Sequence, residues 1–286
     1  MSTQVLRLLA GLIDDAAVFP PGSASLPAAV AAHRRHRDSW YADLVGPLLV
    51  PASAVVAGEL GPLVDPAEGL VIGLIGDTGI ERLPAALSAL TPAGVTARQI
   101  EVVVAKRGED PQPGLAELLK LTRRGGPDVY AELPLTFGLM AALDTLTAAR
   151  ADGVPVAAKF RTGGLAAELF PTPVELAAVI CACRDRGLPF KLTAGLHHAV
   201  RHRDPETGFT QHGFGNVLAA TLAAADGAAV DEVAALLAAT DPVPLIDRVR
   251  AGRDADRPLW VGFGSCSISE PLTDLIRLGL VNGGDA

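Results

Sequence analysis

The sequence predicts a single (β/α)8 TIM barrel spanning residues 1–286, and three observations lead there. Short β-rich apolar runs alternate with Ala/Leu-rich helical stretches from one end of the chain to the other, which implies a parallel sheet. The alternation repeats eight times, the number at which such a sheet closes on itself. With 286 residues, 49% of them hydrophobic, the chain is too apolar for disorder and close to the roughly 250 residues typical of one such domain.

The strand candidates begin with 12–19, whose apolar start runs into Asp14 and Asp15, followed by 47–51 and 70–76. They continue with 100–105, 129–133, 156–160, 190–194 and 259–263. Between them lie helical patterns at 26–44, 54–64, 80–90, 115–123, 137–152 and 173–186, then the stretch after His212, and finally 271–280. Glycine and proline punctuate the junctions, as at Asp152-Gly153-Val154-Pro155 and Arg186-Gly187-Leu188-Pro189. A glycine just past a helix and a proline before the next strand is an αβ-loop signal. An open doubly wound sheet is the competing arrangement, but no GxGxxG follows the first strand. The span from about 198 to 256 is twice a normal βα unit. It holds a polar loop over 201–211 and helices near 217–225, 230–239 and 245–251. It has too little apolar bulk for its own core and reads as a helical insertion after the seventh strand.

A formal net charge of −8 argues against a nucleic-acid or anionic-membrane surface. No window of 18 uninterrupted apolar residues is present, and the N-terminal run lacks a small-residue cleavage signature. Three cysteines, Cys181, Cys183 and Cys266, are too few for a disulfide framework, so a reduced cytoplasmic protein is expected. No cofactor is expected, and the partner is a small molecule. A homodimer is compatible with the fold by analogy.

In barrels the active site lies at the C-terminal ends of the strands. Of 24 basic residues only four are lysine, and two of them, Lys159 and Lys191, stand on neighbouring predicted strands. Lysine, unlike arginine, can lose its proton near neutral pH and attack a carbonyl. Strand alternation puts Lys159 and Arg161 on one face, and likewise Lys191 and Thr193. Two ammonium groups converging inside a poorly solvated cylinder disfavour protonation, so one of them is expected to have a depressed pKa. The competing arrangement pairs the lysines with Glu132, Glu101 or Asp14 in a buried ion network.

The segment Ala158-Lys159-Phe160-Arg161-Thr162-Gly163-Gly164 resembles the Lys-Thr-x-Thr-Gly strand of the 2-deoxyribose-5-phosphate aldolases. Phe190-Lys191-Leu192-Thr193-Ala194-Gly195 is similar to that family's second Lys strand, and Gly262-Phe263-Gly264-Ser265-Cys266-Ser267 to its last strand and phosphate loop. Leu12-Ile13-Asp14 resembles its first strand, and Glu101 occupies the slot of its strand-4 aspartate. The resemblance implies a class I aldolase-like lyase in which Lys159 forms an imine with a small, phosphorylated or plain, carbonyl compound and Lys191 lowers its pKa. Glu101 or Asp14 would relay protons, with Glu132 also at the site. Arg161, Thr162, Gly163, Thr193, Gly195, Gly264, Ser265 and Ser267 would bind substrate, the glycines and serines offering donors to a phosphate. Where the family has Gly-Gly and an arginine after the second lysine, this chain has Gly195-Leu196-His197-His198.

Those histidines, with His202 and His212, open other readings. Imidazole plus carboxylate binds transition metals, so a metal-dependent barrel using His198, Glu132 and Asp14 is one rival. His197 or His198 as a general acid or base is another role, and a loop that anchors the insertion or contacts substrate anions through them, as substrate-binding residues, is a third. A non-catalytic barrel holding a small anionic ligand is the rival from a different class. His33 and His36 fall on an Arg-rich helix face and are expected to be solvated. Trp40 and Trp260 read as packing residues, and Cys266 as a small filler in the loop after the last strand.

Overall fold

The computed structural model describes residues 5–65, 69–205 and 207–283. Eight parallel strands close a barrel: β1 (Ile13–Asp15), β2 (Val45–Pro51), β3 (Leu70–Ile75), β4 (Val95–Val103), β5 (Asp128–Glu132), β6 (Val156–Arg161), β7 (Phe190–Thr193) and, after the insertion, β10 (Trp260–Ser265). The order around the cylinder follows the chain, with β10 closing between β7 and β1. The chain is a (β/α)8 barrel, as its alternation predicts.

The helices that cover it start and stop where local chemistry dictates. Helix α1 (Leu26–Arg37) is opened by Ser25, whose hydroxyl accepts from the Ala28 N–H at 3.4 Å. After α2 (Ala52–Val56), α3 (Leu83–Leu90), α4 (Gln112–Leu121) and α5 (Leu139–Ala151) comes α6 (Pro173–Asp185). Thr172 and Glu175 form a reciprocal capping box at its start, and Pro173 stands where no N–H is needed. Gly153 and Gly187 take left-handed φ values of 81° and 58° just beyond α5 and α6, the conformation that releases a helix toward the next strand.

The structure differs from the sequence reading in several places. The predicted helix over 26–44 ends at Arg37 and resumes as a short 3-10 turn at Ala42–Leu44, and the one over 54–64 is likewise split. Strand β1 is only three residues long, because the chain turns through Ala16–Ser23 toward α1. Strand β4 begins at Val95, which puts Glu101 near its end instead of its start. The polar loop predicted over 201–211 carries a two-residue hairpin, β8 (His202–Arg203) with β9 (Thr210–Gln211); Glu206 lies outside the described residues.

The insertion's helices are α7 (Phe214–Ala225), α8 (Val230–Ala238) and α9 (Val243–Ala251), and α10 (Ser269–Arg277) ends the barrel. They share the barrel's core. Phe214 of α7 stacks on Phe263 of β10 at 5.7 Å, and Phe263 stacks in turn on Trp260 at 5.8 Å, all three fully buried. Full burial of one such ring stabilises by roughly 1.5–3 kcal/mol. Trp260 is thus a packing residue, as its composition-level reading expects.

Candidate active site in the barrel interior

Alternation along the strands sorts the polar residues into two sets. Asp15 points outward and accepts from His33 of α1, Nδ1 to Oδ2 3.1 Å, with both side chains buried. His33 is therefore not solvated: its helix face turns to the sheet, where Asp15 gives it a partner. Asp14, one residue earlier, points inward and meets residues of β4 and β7 across the cylinder.

Inside, two lysines and three carboxylates form one network. Lys159 and Lys191 are register partners on β6 and β7, and Glu132 is the register partner of Lys159 on β5. Lys159 Nζ lies 2.8 Å from Glu101 Oε2 and 2.8 Å from Glu132 Oε2. Lys191 Nζ bonds the other Glu101 oxygen at 2.5 Å and also donates to Asp14 Oδ2. Gln99 Nε2 ties the two acids together, at 2.6 Å from Asp14 Oδ2 and 2.9 Å from Glu101 Oε1. Tyr130 lays its ring 5.0 Å from the Lys191 ammonium, a cation–π contact. At the top of the network Arg161 donates through Nε to Glu132 Oε1 at 3.1 Å.

Small residues make room for these long ones. A Cβ on Gly46 of β2 would stand 1.9 Å from Asp14 Oδ1, and one on Gly73 of β3 would stand 3.0 Å from Gln99 Cγ. Glycines on β2 and β3 thus leave room for the polar side chains of the neighbouring strands β1 and β4.

The charge states follow from two opposed effects, burial and ion pairing. Burial alone pushes the Lys159 pKa down, but Glu101 and Glu132 outweigh it and leave the amine above its ordinary value. Lys191 is treated the same way by Asp14 and Glu101. The like-charge argument that one lysine is poised neutral is overturned. The competing ion network is the arrangement formed: Glu101 bonds both lysines, while Glu132 pairs with Lys159 and Asp14 with Lys191. Burial pushes Glu101 up, yet Lys159 and Lys191 together bring it down to about 2. Glu132 is held below its usual range, Lys159 and Arg161 overcoming burial. Asp14 goes the other way: burial, reinforced by nearby Glu101, raises its pKa against the pull of Lys191.

Above the network a cleft of about 390 Å³ opens at the C-terminal ends of β4, β5 and β6. Glu132 and Arg161 form part of its lining, with Lys106 and Arg107 after β4 and Leu169, Phe170 and Glu175 after β6. Lys159 is 5% exposed and sits one side chain behind Glu132.

The other sequence-derived candidates are placed elsewhere. Thr162 is fully buried, and its hydroxyl donates to the Ala194 carbonyl at 2.7 Å, so it fastens the end of β6 to β7. Gly163 and Gly195 meet back to back there, a Cβ on Gly163 falling 2.9 Å from the Gly195 Cα. Thr193 pairs in register with Gly264 of β10. Ser265 Oγ donates to the Ser267 carbonyl at 2.7 Å, and Ser267 Oγ accepts from the Glu270 N–H at 3.2 Å, so both hydroxyls shape the turn into α10. His197 Nδ1 lies 3.0 Å from Glu270 Oε2 and 3.9 Å from Cys266 Sγ. Its pKa is raised by the Cys266 contact and by Glu270 despite burial. His198 faces Asp274 of α10 at 3.2 Å. The grouping of His198 with Glu132 and Asp14 is not assembled: among the described residues no three His, Cys, Asp or Glu side chains stand together as a metal site.

Sequence reading missed Gln99 and Tyr130, although each lies two residues before a predicted acid on the same strand face. It also missed the cleft residues after β4 and β6, which no strand periodicity marks.

Fold and interior together define a (β/α)8 barrel with a buried amine–carboxylate network beneath a mouth cleft. No family model, no curated protein and no solved structure matches the chain. No helix among the described residues is long and apolar enough to cross a membrane.

Proposed function

We propose that the protein is a class I aldolase-like lyase in which Lys159 forms a Schiff base with a small carbonyl compound. The observation that carries this reading is the placement of Lys159. It is a buried amine directly behind Glu132 of the cleft lining, in register with a second lysine, with a carboxylate 2.8 Å away on either side. The position agrees with the general location of chemistry in barrels. The likeness of the Lys159 and Lys191 strands to those of the 2-deoxyribose-5-phosphate aldolases supports it further.

The charged resting state changes how the amine is activated. Lys159 must first hand a proton to Glu132 or Glu101, each within direct transfer distance. The neutral amine then attacks the carbonyl carbon, and the oxygen takes up a proton as the carbinolamine forms. The same carboxylic acid returns its proton to the departing hydroxyl, which leaves as water and yields the iminium. Where the substrate carries a hydroxyl on the β-carbon, a carboxylate takes that hydroxyl's proton and the bond between the α- and β-carbons breaks. The β-fragment leaves as a second carbonyl compound, and the electron pair of the broken bond passes into the iminium to give an enamine. Lys191, fixed by Asp14 and Glu101, keeps its charge and holds the relay in place. Glu132 joins Lys159 to the cleft and is the gate a carbonyl must pass.

Reduction with borohydride in the presence of a panel of small aldehydes and ketones tests this. A covalent adduct mapped to the Lys159 peptide is expected, and Lys159→Arg, whose guanidinium cannot be deprotonated, should give none. A second reading is favoured by the saturation of both amines with acids: a non-catalytic barrel that holds a small anion in the cleft. That reading gains if no carbonyl is trapped while Lys159→Arg folds and keeps anion affinity.

A further inference from the structure

We infer that the carbonyl compound is a 2-oxo acid, its carboxylate gripped by Arg161 while its keto carbon meets Lys159; this rests on the Schiff-base reading above. Lys159 and Arg161 stand two residues apart on one face of β6, about 6–7 Å along the strand at roughly 3.3 Å per residue. The two oxygens of the Glu132 carboxylate bond them separately, Oε2 to the amine at 2.8 Å and Oε1 to Arg161 Nε at 3.1 Å. The two cations are thus one carboxylate apart. The O–C–C=O unit of a 2-oxo acid is one atom longer than the O–C–O that already spans them. It therefore reaches both cations of β6.

Arg161 is built to receive that group. Its Nε is tied to a buried acid, which fixes the plane of the guanidinium, while the side chain remains 42% exposed in the cleft. Its terminal nitrogens bond nothing else among the described residues, and those paired N–H groups match a carboxylate in bidentate geometry. Lys106 and Arg107, lining the same cleft, add positive charge. Of the other acids there, Glu175 is turned into the Thr172 capping box, which leaves Glu168 as the opposing charge. The serines that the family resemblance assigns to a phosphate, Ser265 and Ser267, are engaged with the turn into α10. The chemistry balances without a further reactant: the Lys159 ammonium and the keto oxygen become the iminium and one water, with the total charge unchanged.

The test compares pyruvate, the simplest 2-oxo acid, with acetaldehyde, which has no anion, in borohydride trapping on the full chain with peptide mapping. Pyruvate is expected to label Lys159 at a concentration at least about tenfold lower than acetaldehyde. The Arg161→Gln substitution should reduce that preference about tenfold or more, in keeping with loss of a charge-assisted hydrogen bond. Arg161→Lys should recover part of it, since charge returns without the fork. If acetaldehyde labels Lys159 as well as pyruvate does, or the preference survives Arg161→Gln in a folded protein, the 2-oxo acid assignment is wrong while the imine reading stands. If neither compound labels Lys159, the Schiff-base reading falls and takes this inference with it.

Discussion

Replacing Glu101 by glutamine keeps the shape of the central carboxylate and removes its charge. In the native protein Glu101 accepts from both buried lysines and from Gln99, and its pKa stands at about 2 against an ordinary 4.5. A difference of that size, at about 1.4 kcal/mol per pKa unit, corresponds to about 3 kcal/mol. Breaking a buried ion pair typically costs 3–5 kcal/mol, so the two routes agree. For a chain of this length each kcal/mol moves the melting midpoint by about 2–4 °C, so Glu101→Gln should melt roughly 6–12 °C below the parent at pH 7. The pH dependence gives the sharper test. A carboxylate with a depressed native pKa contributes stability that is whole above its unfolded value and fades as pH falls toward its folded one. The gap between parent and variant, read from urea denaturation monitored by circular dichroism, should therefore be full at pH 7. It should narrow progressively from about pH 4.5 toward pH 2. A variant within 2 °C of the parent at pH 7, or a gap that stays constant down to pH 3, would refute the ionised network.

Three other outcomes follow from the same coordinates. Gly46→Ala puts a methyl group 1.9 Å from Asp14 Oδ1, so it should cost about 1–3 kcal/mol or more in urea denaturation and reduce borohydride trapping at Lys159 by displacing Asp14. Arg257 donates to the carbonyls of Leu8, Ala10, Trp260 and Val261, and burial brings its pKa down to about 10. Arg257→Met, which leaves these oxygens without their donor, should destabilise by at least about 3 kcal/mol; a loss under 1 kcal/mol would show that water replaces it. In the native protein a thiol reagent should modify Cys266 first, because Cys181 and Cys183 are buried on α6 and burial pushes the Cys183 thiol up to about 12. Equal rates at all three, measured by mass spectrometry, would contradict that placement.

What could be read from the chain divides along a physical line. The number of strands, their parallel order and the inward set Lys159, Arg161, Lys191 follow from alternation within single segments, a local property. Charge balance was legible only as one of two arrangements, a neutral lysine or an ion network with Glu132, Glu101 or Asp14, because the choice depends on heights across the cylinder. Asp14, Glu101 and Lys191 lie on β1, β4 and β7, and only the stagger of the closed sheet brings them level. Asp15 and His33 show the same limit on the outer surface. A polar helix face looks solvated until the strand beneath it supplies an acid. The turn hydroxyls of Ser265 and Ser267 resemble anion donors in sequence, yet their partners are backbone groups a few residues away. The cleft-forming loops after β4 and β6 carry no periodic signal at all.

The hairpin of β8 and β9 bears on the rim in a way its small size conceals. Phe209, in the bend between its two strands, rests against Phe170 at 4.8 Å, and Phe170 is a wall of the cleft. His212, just past the hairpin, reaches the neighbouring Pro171 carbonyl at 2.8 Å. A segment extraneous to the eightfold pattern is therefore a buttress for the aperture on its β6 side. Trimming it to the length of an ordinary connection would leave the cylinder closed and its doorway unsupported.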